Sequence, residues 1–185
     1  MIYVVHLCRV VIALVFLAAL VSKLRGPAEF VSFMRDLGVF PASAARAAAI
    51  TIVSAELAVI VLVLTPGAER AGLLLAAALL CGFSLGIAAS LKGTQEFAAS
   101  PKPTRKAAVC RCFGSSGQPL GRHHIARNIV LAVIGATGAL VPASGSALTH
   151  PAGVVITLFA GALLAFFAIA LDTLIALFLP QAVRR

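Results

Sequence analysis

The chain has no tryptophan, one tyrosine, and six acidic residues against fifteen lysines and arginines. Charged residues make up 11% of it, against about 25% in an ordinary soluble domain. That shortage leaves too little polar surface to cover a globule in water. With 61% hydrophobic residues and a mean hydropathy of +1.07, lipid must be the solvent for much of the chain. The 185 residues suit one compact helical membrane bundle and leave no room for a separate soluble domain. The near absence of Trp and Tyr removes the stacking platforms that single-stranded nucleic acid needs. The net charge of +9 then belongs to membrane topology, and no nucleic-acid partner is expected. The start of the chain lacks positive charge, and its apolar run is long enough to span, so a retained helix is expected and not a cleaved signal peptide.

What is present is a series of long apolar runs. Spans are predicted at about 4–24, 47–64, 72–91, 125–141 and 154–179. The first reaches about 31 Å at about 1.5 Å per residue, enough for a bilayer core. Gly26-Pro27, Pro66-Gly67, Pro142 and Pro180 close spans. Between the first two, Phe30, Phe33, Met34 and Leu37 recur at near-helical spacing. This stripe predicts a short amphipathic helix in the membrane interface. Lys92 to His124 is polar and rich in Pro, Gly and Ser, and reads as a loop with at most one short helix. Gly82 and Gly86 form a small-xxx-small pair, and Gly135 and Gly138 thin the fourth span. Such residues let helices approach closely in lipid. The predicted fold is an all-α integral membrane protein with five transmembrane helices, a four-helix bundle core plus a C-terminal fifth helix.

Five spans put the termini on opposite sides. The side holding the first connection, the long loop and the C-terminus carries thirteen of the fifteen Lys and Arg, leaving Arg9 and Arg70. The positive-inside rule therefore places the loop and the C-terminus in the cytoplasm and the N-terminus outside, in a multi-pass plasma-membrane protein.

The polar loop holds Cys110-Arg111-Cys112-Phe113-Gly114. Three readings of the thiols stand open. In the first, the pair is a redox dithiol. Arg111 and the neighbouring basic residues favour the thiolate, which is the reactive form. A bond between residues two apart demands a bent backbone, which makes it strained and easily reduced. In the second, Cys110, Cys112, His123 and His124 hold zinc, although neither spacing matches the usual zinc patterns. In the third, these are two plain thiols in a reducing compartment. No metal site is assigned.

Other polar groups bear on the chemistry. Cys8 and Cys81, with the loop pair, occupy three depths, which allows a relay of thiols across the bilayer; small, buried, structural cysteines explain them as well. Glu56 lies near mid-membrane, where ionisable groups are functional candidates. It is expected to pair with Arg9 or to carry a proton, or else to serve as a structural hydrogen bond. Asp172 is expected near the inner interface, beside Lys23 or Arg127. His123 and His124 can act as bases toward a thiol, or sit as a solvated boundary pair. Arg127 and Asn128 open the fourth span next to the loop.

Cys110-Arg-Cys-Phe-Gly114, followed by Arg127-Asn128 at the head of a span, resembles the MauE family of methylamine-utilisation membrane proteins, related to DoxX-like proteins. Ser22-Lys23-Leu24 closing the first helix, the texture of Phe30 to Phe40, and Glu56-Leu57 in the second resemble it too. The resemblance covers about Val4 to Val141, which divides the chain into a bundle at 1–141, with its Cys-x-Cys loop at 92–124, and an additional helix at 142–185. It implies a helical bundle engaged in thiol–disulfide traffic, working beside a thioredoxin-like partner and linked to disulfide formation in exported proteins. An exported substrate and a cytoplasmic loop together require electrons to cross the membrane, or a loop that dips inward.

The reading that follows is a membrane thiol–disulfide redox protein. Cys110 and Cys112 cycle, and the electron partner is a thioredoxin-like protein or a quinone. A quinone needs an apolar groove between helices, and no motif announces one. The alternative is a non-catalytic membrane subunit whose basic Cys/His loop docks a partner or binds zinc.

Overall fold

With no water in the bilayer to satisfy backbone polar groups, apolar runs of this length must close their hydrogen bonds within themselves. A computed structural model of the protein describes residues 2–39, 41–98, 109–110, 118–119, 122–141 and 151–178, with side chains left out at 92–98, 109–110, 118–119, 122 and 172–178. Among them are six helices and one pair of two-residue strands. They are α1 (Ile2–Arg25), α2 (Pro27–Leu37), α3 (Ala45–Leu64), α4 (Glu69–Ala98), β1 (Val109–Cys110), β2 (Gln118–Pro119), α5 (Arg122–Leu140) and α6 (Pro151–Phe178).

Among the described residues four stretches are long and apolar enough to cross a membrane: Ile2–Arg25, Ala45–Leu64, Glu69–Leu91 and Pro151–Leu171. The protein is thus an all-α multi-pass membrane protein. The helix at the fourth predicted span, α5, falls short of that measure because its first two turns hold Arg122, His123, His124, Arg127 and Asn128. It nevertheless forms the most extensive helix pairing in the structure, with α4.

Every other helix touches α1. Its Val11, Ile12, Val15 and Phe16 are buried in one core with Val59 and Val63 of α3, Leu73 and Leu80 of α4, and Leu131 of α5. In lipid, helices gain little from apolar burial alone, so close approach has to come from small residues. On α5 it does: a Cβ added at Gly138 would lie 2.7 Å from Cys8 Cβ, and one at Gly135 3.2 Å from the Leu73 carbonyl oxygen. Gly161 of α6 likewise lies against Val10, where an added Cβ would come to 2.7 Å. On α4 the expected glycine pair is only half used. Gly86 meets Leu37, while Gly82 is exposed with nothing within 4 Å.

The Phe30, Phe33, Met34 and Leu37 stripe does form a helix, α2, and its buried face packs on Ala45 and Ala49 at the start of α3. Gly38 ends it in the left-handed region, φ 70°, where a Cβ is disfavoured. The third predicted span extends as α4 past Leu91 to Ala98, because Lys92 to Phe97 contains no helix breaker beyond one glycine. Past it, β1 and β2 pair antiparallel, with Val109 opposite Pro119 and Cys110 opposite Gln118.

Candidate functional site

The last turn of α1 ends in Lys23 and Arg25. Lys23 turns inward and is 4% exposed, and its Nζ donates to Glu56 Oε1 of α3 at 2.5 Å. The same ammonium lies over the rings of Phe30 and Phe83, 5.1 and 5.5 Å from their centroids, which adds a cation–π attraction. Glu56 is 2% exposed, and its Oε2 is buried without a hydrogen-bond partner among the described residues. The expected Glu56–Arg9 pair does not form. Arg9 sits at the other end of α3, where its Nε donates to the Val63 carbonyl oxygen at 3.0 Å. That carbonyl is one of the last four of α3, left without an intrahelical partner, and a cation suits it there. Lys23 is paired with Glu56; the Asp172 side chain, expected beside Lys23 or Arg127, lies outside the described residues.

Lys23 and Glu56 line one cavity of about 50 Å³ together with His124, Arg127 and Asn128 of α5. All five are buried. The remaining wall is apolar: Val15, Phe16 and Ala19 of α1, Phe33 and Leu37 of α2, Leu80, Phe83 and Ile87 of α4, and Leu131 of α5. Ser84 of α4 is buried nearby in sequence but bonds its own helix, through Oγ to the Leu80 carbonyl oxygen at 2.8 Å. The first turn of α5 carries three basic-type residues and no acid. A helix N-terminus already presents positive partial charge. Basic residues at that end oppose the helix macrodipole, so this placement works against helix stability.

The sequence candidates divide accordingly. Glu56, His124, Arg127 and Asn128 meet in one place. Lys23 joins them, and sequence reasoning gave it no part in the site. The signal for it was available: an ionisable group at mid-membrane needs a partner of opposite sign. His123 stacks beside His124 at 4.0 Å between ring centroids but is half-buried and does not line the cavity. Cys8 is buried in the α1–α5 seam beside Gly138, and Cys81 is exposed on α4; both are free thiols. No described contact joins the two. Cys110 is placed in β1 by its backbone; Arg111 and Cys112 lie outside the described residues. Among the described side chains no three His, Cys, Asp or Glu gather as metal ligands.

β2 ends at Pro119 and α5 begins at Arg122. Arg122 is four positions on from Gln118, at most about 14 Å of extended chain. Cys110 sits opposite Gln118, about 5 Å away across the ladder. The strand that carries Cys110 is therefore tethered within about 20 Å of the start of α5.

A multi-pass helical bundle with a buried ion pair lining an internal cavity is a membrane protein built around an internal polar site. The family described as Methylamine utilisation protein MauE matches residues 1–141, and this chain belongs to it. A relative, Methylamine utilization protein MauE of Paracoccus denitrificans, is 38% identical over 144 residues, covering 74% of this chain and 71% of that protein. No solved structure matches. The family match ends where α5 ends, so α6 lies outside it.

Proposed function

We propose that this protein serves methylamine utilisation as a membrane thiol–disulfide redox component, with Cys110 and Cys112 as its working pair. The observation that supports this most is the tether of the Cys110 strand to the basic start of α5. A helix N-terminus and neighbouring cations favour a thiolate, and the thiolate is the species that attacks a disulfide. The exchange is balanced within itself. Both thiols of the pair are oxidised to one disulfide, and a partner disulfide of the thioredoxin-like class is reduced to two thiols, taking both electrons and both protons. The direction reverses if the partner enters reduced. Five spans, with the loop on the cytoplasmic side and the N-terminus outside, complete the reading.

The test is a thiol count in isolated membranes. A maleimide that adds mass is applied before and after reductant, from each side of the membrane. Two loop thiols blocked until reduction, and reached from the cytoplasmic face, support the proposal. A variant with both Cys110→Ser and Cys112→Ser that sustains growth on methylamine as well as the parent ends it. Stoichiometric zinc that survives dialysis and is lost in the same variant moves the assignment to a metal-bearing structural subunit.

A further inference from the structure

We propose that the cavity at Lys23, Glu56 and Asn128 takes the oxygen-bearing edge of a lipid-soluble ring of the quinone–quinol class. Its redox step rests on the thiol–disulfide reading above; its binding does not.

The walls fix the ligand's polarity. Lys23 and Glu56 offset one another's charge at 2.5 Å, and Arg127 and His124 line the cavity beside them. Glu56 Oε2 is nonetheless buried and lacks a hydrogen-bond partner among the described residues, in a residue 2% exposed. A buried carboxylate oxygen left without a donor costs free energy until one arrives. A quinol hydroxyl is such a donor. The amide of Asn128 and the ammonium of Lys23 are donors in turn, suited to the carbonyl of the oxidised ring. Both redox forms therefore find a partner in the same cavity. The apolar wall, with Phe16, Phe33 and Phe83, suits the ring body.

The mouth fixes the route. Thirteen of the fourteen lining side chains are buried; Phe83 alone is half-buried, which makes its position on α4 the most accessible part of the wall. Phe83 is 14 residues beyond Glu69, about 21 Å along the helix, inside the apolar stretch Glu69–Leu91. A ligand arriving there comes from lipid and not from water. At about 50 Å³ the space holds on the order of four waters, less than a ring occupies. The ring enters edge-first, with its oxygen at Glu56 and Asn128 and its body along Phe83. The redox step balances without another reactant: two thiols and one quinone give one disulfide and one quinol, which carries both electrons and both protons.

The test uses the full chain in lipid nanodiscs with a short-chain photoreactive ubiquinone analogue as probe and ubiquinone-1 as competitor. Labelling should fall on peptides containing Leu80 to Ile87 or Asn128 to Leu131, and ubiquinone-1 should displace it. Asn128→Ala and Phe83→Ala, each checked for an unchanged melting temperature, should weaken labelling about tenfold. A variant with both loop cysteines changed to serine should label like the parent. Labelling of the parent that ubiquinone-1 does not displace, or that spreads over α6, overturns the proposal whatever the variants do. Displaceable labelling at the cavity without oxidation of Cys110 and Cys112 by ubiquinone-1 upholds the binding site and overturns the thiol step.

Discussion

Replacing Lys23 or Glu56 singly should damage the protein far more than replacing both. Their charged atoms are 2.5 Å apart, with side chains 3% and 2% exposed. At an effective dielectric of about 20, that attraction is roughly 7 kcal/mol. Taking the two ions out of water costs several kcal/mol each, so the pair as a whole contributes close to nothing. Removing one partner leaves the other's desolvation without its compensating attraction, about 3–5 kcal/mol. Lys23→Met also removes the ammonium from between Phe30 and Phe83, about 1 kcal/mol more. Spread over a chain of this length, such losses lower the melting temperature by about 10 °C. The double variant Lys23→Met with Glu56→Leu, of matching apolar bulk, should recover to within about 1 kcal/mol of the parent. The assay is thermal unfolding in mild detergent on all four proteins, treated as a double-mutant cycle. Single variants that melt with the parent, or single losses that simply add in the double, refute the claim that the two charges are desolvated together.

Gly138→Val forces a Cβ to 2.7 Å from Cys8 Cβ and should destabilise by about 1–3 kcal/mol, whereas Gly82→Ala, with open space around it, should be neutral or stabilising by up to about 1 kcal/mol; melts of the two decide. In mild detergent a small maleimide should modify exposed Cys81 well before buried Cys8, and mass spectrometry of the labelled peptides at successive times gives the order. Serine at either position should leave loop-thiol oxidation intact if no relay runs through them, and loss in both would restore the relay. A chain ended at Val141, which keeps the family-matched region and sheds α6, should still show the rescue of the single Lys23 and Glu56 variants by the double; its disappearance would mean that the pair depends on the packing of α6 against α1.

The helices were legible because lipid leaves the backbone little choice. An apolar run of sufficient length bounded by proline or glycine becomes a helix, and α1, α3 and α6 lie where such runs do. The end of α4 was less legible, since Lys92 to Phe97 is polar yet free of strong breakers, and polarity alone was read as loop. The partner of Glu56 was missed for a geometric reason. Arg9 against Val63 sets the antiparallel register of α1 and α3, and seven residues along each helix that register puts Glu56 level with Phe16. Lys23 is seven residues further still, about 10 Å by helical rise, a gap that only extended side chains close. One-dimensional depth counting ranks Lys23 as a boundary residue. Arg127 and Asn128 were read as opening a helix beside the loop; α5 begins five residues earlier, at Arg122, and their shared cavity with Glu56 depends on how α5 docks on α4, which no spacing encodes.

Because α1 is the contact partner of every other helix, the order of synthesis matters to assembly. It emerges before all of them and enters the bilayer with its Lys23 ammonium unmatched. The long aliphatic stem can hold that charge at the headgroups in the interim. Only when α3 follows does Glu56 arrive to draw it inward. Docking of the second membrane helix is thereby tied to a movement of charge from the lipid surface to the interior, and a chain whose Glu56 is missing would stall with that lysine still at the surface, a target for the quality-control proteases of the membrane.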